Sequence, residues 1–297
     1  MPSWRKTKMK KIIIVLFALL LLAGCSDGNH YSSLSNGDDV LFTGPNITYT
    51  KNDLYKSLKL SNTSGISSNI LDKIALNLDG IDMDQINADA DELIETYQSM
   101  GYESYIIASY GSVEAYRSSY VSSLLLAELC KEYVKEDFDH MVEEKKPVKM
   151  QVASFASLED AEKCIEDVKG GSTFDMAAVN NNADSAPVSS VYTDDDSTLA
   201  FEIKDYLNSN ENSGVSSVIV NTTTSQGADG SVVENNTYYV LNVESRDVET
   251  FKDEAISIMA SELSTDDVKN YFLSTHQIEF FDQDLYKSMS SLYEVLK

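Results

Sequence analysis

From Val113 to Met141 an apolar side chain returns at every third or fourth residue, through Val113, Tyr116, Tyr120, Leu124, Ala127, Cys130, Val134, Phe138 and Met141. A helical period is what places such a series on one face. The spacing therefore predicts one long helix over about 112–144. At about 1.5 Å per residue it would reach close to 50 Å, more than a compact domain needs, and such a helix serves as an arm or spine. Pro147 ends it, because proline lacks the N–H that a helix requires.

Beyond Pro147 the texture changes. Val148–Phe155 reads as a strand, Leu158–Lys169 as a helix closed by Gly170-Gly171, and Thr173–Val179 as a second helix running into a polar loop over 180–198. Phe201–Leu207 reads as a short helix, and Val215–Val220 and Thr237–Val243 as strands. On the other side of the long helix, residues 38–50 form two β-prone runs around Gly44-Pro45-Asn46, a hairpin signal. Thr50, with Asp53 three residues on, marks a helix start. Helices follow over about 66–78 and 84–99, and helix returns over 250–272, with an interruption near Ser264-Thr265 and a last helix at the C-terminus. The fold class is α+β, and a length of 297 residues at about 150 per domain allows about two domains.

The N-terminus is an address. Arg5, Lys6, Lys8, Lys10 and Lys11 precede the apolar run Ile12–Leu22, which is shorter than the roughly 20 residues of a permanent span. Leu22-Ala23-Gly24-Cys25 then resembles a bacterial lipobox, whose cysteine thiol takes diacylglycerol. Residues 1–24 are read as a signal peptide, Cys25 as the lipidated mature N-terminus, and 25–37, rich in Ser, Asn, Asp and Gly, as a flexible tether. At about 0.8 kcal/mol per buried methylene, two acyl chains hold a protein on the membrane where one is marginal. Cys130 and Cys164 remain, and both read as separate buried thiols on helices.

Charge narrows the partners. The chain has 23 Lys plus Arg against 48 Asp plus Glu, a net charge of -25 that repels phosphate backbones, so nucleic acid is not a partner. Five of those bases precede Cys25 and no acid does, so the mature chain is more acidic still. His140 and His276 lack partners at ligand spacing, His30 lies in the tether, and the acidic runs Asp79–Asp84 and Asn87–Glu92 miss the calcium-loop pattern. No metal and no cofactor is expected. Asp194-Asp195-Asp196 reads as a solvated charge run.

Several strings in order resemble the PrsA-type extracytoplasmic foldases, lipoproteins in which a parvulin (PpiC-type) domain interrupts a SurA-like chaperone domain. Ile47–Leu54 looks like that family's opening, and Ser109–Arg117 like its turn into the long helix. Gly170–Ala178 resembles the parvulin Gly-x-x-Phe-x-x-Leu-Ala segment, Ala200-Phe201-Glu202 with Tyr206-Leu207 its Phe-Glu helix, Ser213–Val218 its strand start, and Tyr238–Val243 its last strand. The resemblance implies a chaperone domain from 38–146 and 247–297 with a parvulin-like domain over 147–246. It also implies attachment to the extracytoplasmic face of a Gram-positive membrane, unfolded or nascent exported proteins as partners, and room for a homodimer.

The resemblance further implies peptidyl-prolyl cis-trans isomerisation, but the family's two histidine positions fall at about Val152 and at Tyr239, and its glycine-rich turn is replaced by Ser189–Asp196. Isomerisation breaks no bond and requires only tighter binding of a twisted amide than a planar one. Tyr239 could offer a hydroxyl, Asp184 a carboxylate, and Tyr192, Phe201 and Tyr206 a wall for a proline ring. The plainer alternative, preferred for a domain without either histidine, makes Tyr239 and Phe201 core and leaves Asp184 in a solvated loop. A chaperone asks less of any one residue, since adaptable aromatic and methionine surfaces hold a chain through many weak contacts. The rival from another class is a solute-binding or other cell-surface lipoprotein without chaperone activity.

Replacing Cys25 with Ser should leave the protein unlipidated and move it from the detergent phase to the aqueous phase in a Triton X-114 partition. A Cys25→Ser protein that still partitions with detergent would contradict the anchor.

Overall fold

The structure is a computed structural model that describes residues 32, 34–45, 47–226 and 231–296. The signal peptide, Cys25 and most of the tether lie outside the described residues. Two compact units emerge, one from the described residues of Met1–Ile70 and Leu273–Lys297, the other from Leu71–Phe272.

In the first unit β1 (Val40–Gly44) and β2 (Ile47–Thr50) form an antiparallel hairpin, and α1 (Lys51–Ser61) follows at once. Thr50 closes the N-terminus of α1 with a full capping box, its hydroxyl accepting from the Asp53 N–H while Asp53 accepts from the Thr50 N–H. The first part of α2 (Thr63–Ala75) and α12 (Gln283–Leu292) complete the unit, with α12 against α1. Lys59 Nζ donates to Asp282 Oδ2 at 2.8 Å across 223 residues of sequence, and both side chains are buried. Ser32 N–H donates to the same oxygen at 2.6 Å, and the Asp282 side chain also caps α12 by accepting from Leu285 N–H. Buried Tyr293 donates to the Ser67 hydroxyl at 2.9 Å.

The second unit is built on α5 (Val113–Glu136), capped by the Ser112 hydroxyl accepting from Ala115 N–H. Leu125, Leu129, Cys130 and Val134 are buried along it. Helix α3 (Met83–Ser99), which turns Ile86, Ala90 and Ile94 inward, packs on α5, and so does α10 (Lys252–Ser261), with Ala255, Ile256, Met259 and Ala260 buried. Helices α4 (Glu103–Tyr110), α6 (Phe138–Lys145) and α11 (Thr265–Thr275) flank them.

The predicted single helix is in fact two. At Asp137 the backbone leaves the helical region (φ -125°, ψ 37°), ending α5 and starting α6. The break sets Phe138 inward, with Lys252 Nζ 4.4 Å from its ring centre, and Met141 is buried as well. The apolar series runs through the break unbroken, which is why its period reads as one rod.

Between α6 and α10 lies an antiparallel sheet in the order β4-β3-β7-β5, formed by β3 (Val148–Phe155), β4 (Ser190–Tyr192), β5 (Gly214–Val215) and β7 (Val232–Ser245). Strand β6 (Ile219–Gln226) also pairs with β7. Helices α7 (Leu158–Lys169), α8 (Phe174–Asn180) and α9 (Phe201–Ser209) complete this segment. The predicted polar loop over 180–198 contains β4, and the predicted strand over 215–220 is two strands, the second running on to Gln226. β6 and the outer half of β7 form an exposed ribbon of mostly Thr, Ser and Asn with Val232, Val233 and Glu234, and the Thr222 hydroxyl donates to Asn236 Oδ1 at 2.8 Å. Exposure of both faces removes the alternation that would have revealed it.

The sheet segment is tied to the helices before and after it. Lys149 donates to Glu254 at 2.6 Å, the Thr193 hydroxyl to Glu262 at 2.6 Å, and Lys145 pairs with Asp195. Cys130 and Cys164 are free and buried. Burial, with the Asp167 carboxylate adding to it, pushes the Cys164 thiol up to about 11.

Burial by itself would raise the Asp282 carboxyl, but the bonds from Lys59 and from the Leu285 and Ser32 N–H groups hold it well below the usual carboxylate range. For Lys59 burial likewise opposes the charge and Asp282 outweighs it, leaving the ammonium above its ordinary value. A depressed carboxyl contributes stability above the ordinary pKa of about 4 and loses it as pH falls through the folded value. A raised ammonium contributes below about 10.4 and loses it as pH rises through its folded value. The pair should therefore hold across neutral pH and fail first in acid. Lys59→Met or Asp282→Asn alone should cost about 3–5 kcal/mol, because each breaks the buried pair, and the Lys59→Met/Asp282→Asn double variant, whose amide oxygen can still cap Leu285, should recover most of it. Denaturant unfolding at neutral pH checks this, and a double variant as unstable as the worse single one would refute it.

Candidate functional site

Alternation along the sheet sorts its side chains into two layers. Ala153, Phe155 and Val240 pack with Ala161, Cys164, Phe174, Ala177 and Ala178 of α7 and α8. On the opposite face Val148, Met150, Leu241, Val243 and Ile219 pack with Leu199 and with Ile203 of α9. Val152, Tyr192, Tyr206 and Tyr239 border this second layer, half-buried. Four of the six residues singled out from sequence thus share one face. In the ladder Val152 stands opposite Leu241, and Tyr239 stands opposite Ser154.

The other two sit at the margin. Asp184 is exposed, its N–H donating to the Ser154 carbonyl at 2.9 Å and its carboxylate accepting from the Ser154 hydroxyl at 2.6 Å. Through Ser154 it reaches the ladder position of Tyr239, outside the packed group. Phe201 opens α9 with its ring 76% exposed and lines a shallow hollow of about 340 Å³ with Glu202, Asp205, Tyr206, Val218 and Ile219. Ser216 stiffens the floor behind it. Its N–H donates to the Leu241 carbonyl, and its buried hydroxyl accepts from the Leu241 N–H, each at 2.9 Å.

The carboxylates of this arrangement are Asp184 at one margin and Glu202 and Asp205 in the hollow. The sequence places no histidine between 147 and 246, and Tyr192, whose hydroxyl burial pushes above its ordinary value, stays neutral near pH 7. The hollow offers an aromatic face, two carboxylates and a few hydroxyls.

A larger feature escaped the sequence reading. In the second unit Tyr97, Tyr102, Tyr105, Ile106, Tyr110 and Tyr116 line a cavity of about 770 Å³. The rings come from α3, α4 and α5 and from the turn between α3 and α4. Gly101 (φ 78°) and Gly111 (φ 83°) make the left-handed turns on either side of α4, and the Gly111 N–H closes that helix on the Ile107 carbonyl at 2.8 Å. Tyr97 meets Tyr102 and Tyr116 edge-on at 6.0 and 5.9 Å between ring centres, and Tyr110 lies 4.7 Å from Tyr116. Burial, together with the Tyr97 hydroxyl, pushes the Tyr116 hydroxyl above its ordinary value. Tyr105 is 69% exposed at the mouth, and Tyr102 and Tyr110 are also exposed. The signal was present as five tyrosines between 97 and 116, but their convergence depends on α4, which the sequence reading did not identify.

Comparison with known proteins adds two findings. Residues 9–26 match the prokaryotic membrane lipoprotein lipid attachment site, which marks the chain as a membrane-anchored extracytoplasmic lipoprotein and includes Cys25. The structure is similar to the crystal structure of foldase protein PrsA from Streptococcus pneumoniae, at 15% identity and a TM-score of 0.47, over 87% of this chain and 99% of that one. It is also similar to peptidylprolyl isomerase PrsA from Bacillus cereus (15% identity, TM-score 0.44, 87% and 99% covered) and to foldase protein PrsA from Lactococcus lactis (15%, 0.42, 86% and 98%). No curated protein matches the sequence.

Phe201→Ala should change stability by no more than about 0.5 kcal/mol, since its ring is in solvent, whereas Ile203→Ala, two residues on and buried, should cost about 2–5 kcal/mol. Equal losses in thermal or denaturant unfolding would show that the Phe201 ring is part of the core.

Proposed function

We propose that this lipoprotein is an extracytoplasmic foldase that acts by holding: it binds non-native segments of exported proteins at the outer face of the membrane and keeps them from aggregating. The observation that carries the reading is the tyrosine-lined cavity. Five tyrosines with Ile106 and Ser109, on three helices and a turn, leave about 770 Å³ open, with exposed rings at the mouth and hydroxyls as the polar side-chain groups of the lining. Aromatic surfaces of this kind gain contact area from many different segments at little conformational cost, which suits a binder of unfolded chains. The acidic surface keeps such a protein soluble with apolar groups showing.

In this reading residues 25–37 are the tether, 38–146 together with 247–297 form the holder, and 147–246 form a parvulin-like module, as the sequence resemblance implies. The Gram-positive setting rests on that resemblance alone. The module supplies a second, shallower contact at Phe201, Tyr206 and Ile219; by the resemblance the family's two imidazole positions fall at about Val152 and at Tyr239, which favours holding over isomerisation. A homodimer is supported by the first unit's hairpin, which leaves Val40, Leu41, Phe42 and Ile47 exposed. The solute-binding reading calls for an enclosed cleft with converging polar groups, and the open aromatic cavity is not of that kind.

The full chain in detergent should suppress aggregation of a chemically unfolded, reduced client, and a Tyr102→Ser/Tyr105→Ser variant should lose most of that effect. It should leave the slow, proline-limited phase of a refolding client unaccelerated. Unchanged aggregation in the presence of the native protein would overturn the holding function. Acceleration of the slow phase that disappears in Tyr239→Phe or Asp184→Asn would establish the isomerase instead.

A further inference from the structure

The tyrosine cavity sits in an acidic stretch of the chain. From Asp82 to Tyr116 the chain carries eight carboxylates and not one lysine or arginine. Arg117, the first cation after it, is already engaged: its Nε donates to Asp91 Oδ1 at 2.6 Å, and its guanidinium also reaches Asn87 Oδ1 at 3.1 Å. Nothing basic in the stretch competes for the cavity. The face of an aromatic ring carries the negative lobe of its quadrupole, which attracts a cation within about 6 Å of the ring centre. Rings and carboxylates therefore favour the same sign of charge, the first at short range and the second over a Debye length of about 8 Å at physiological salt.

We propose that the cavity is selective for cationic stretches of an extended polypeptide, receiving a lysine or arginine side chain against the exposed rings of Tyr102, Tyr105 and Tyr110 while the carboxylates of the same stretch of chain attract the segment that bears it. This inference rests on the holding function and adds its specificity. A long basic side chain suits the cavity twice, because its methylene stem packs on apolar ring area while its charged head meets the ring faces. Segments rich in aspartate or glutamate are repelled by the same field.

The test uses the full, lipidated chain in detergent and three short fluorescein-labelled peptides of alternating residues: lysine with serine, norleucine with serine, and glutamate with serine. Anisotropy should show the lysine peptide binding tightest, with affinity falling as salt rises, and the glutamate peptide not binding. Tyr105→Leu keeps apolar volume but removes the ring, and Tyr105→Phe keeps the ring. The first should weaken the lysine peptide about two- to tenfold and the second should leave it nearly unchanged, as a cation on a ring face requires. Tyr102→Leu should behave as Tyr105→Leu does. Equal binding of the norleucine and lysine peptides, or lysine binding indifferent to both leucine variants, would overturn the proposal. The client-aggregation assay on the same proteins separates the two claims. If charge selection fails while holding stands, native protein still suppresses aggregation. If holding fails while the site is real, the lysine peptide still binds and aggregation proceeds.

Discussion

A buried ion pair joins the beginning of this fold to its end. Lys59 and Asp282 meet at 2.8 Å with both side chains out of water, and Asp282 uses its remaining acceptor capacity on the Ser32 and Leu285 N–H groups. A lone buried charge is far more costly than a paired one, so the first helix after the hairpin and the last helix of the chain must be in place together. Everything between them is a closed excursion of the chain. The pair does not need to add net stability to have this effect; it makes arrangements that separate the two ends expensive, which is a contribution to specificity.

The same logic recurs within the larger unit. The sheet segment leaves after α6 and returns at α10, and Lys149–Glu254, Lys145–Asp195 and Thr193–Glu262 tie its first strand, the start of its connection and β4 to the helices around it. Glu262 sits among them half-buried. Burial, aided by the Asp195 and Asp196 carboxylates, pushes its carboxyl above the ordinary range, against the Thr193 bond and Lys145. Ionising it therefore works against the fold as pH rises through its folded value, the opposite sense to Asp282. The two carboxyls make the two units respond to acid in different ways.

Much of this architecture is legible in the residues. Gly170-Gly171 closes α7, Thr50 with Asp53 announces α1, and the four strings that resemble a parvulin domain fall on α8, α9, the β5 region and β7. The failures have physical causes. Strand β4 is three residues long and exists because Val148, Lys149 and Met150 pair with it. Asp137 breaks a helix whose apolar period continues across the break. The β6–β7 ribbon has no buried face to impose alternation. Among the site residues, Val152 and Tyr239 reach one sheet face by strand alternation, with Tyr192 on β4 and Tyr206 packed against it from α9, whereas the position of Asp184 on Ser154 is a loop contact that no pattern encodes. The tyrosine cavity was least legible, because it is a property of three helices and a turn brought together.

If holding resides in that cavity, binding of a client must slow exchange of the backbone amides around it. Hydrogen–deuterium exchange of the detergent-solubilised protein, with and without a permanently unfolded basic client, is the most direct measurement. Client-dependent protection concentrated over residues 97–116 is the predicted result. Protection confined to 200–220, or none anywhere in the chain while the client remains bound, would contradict the account.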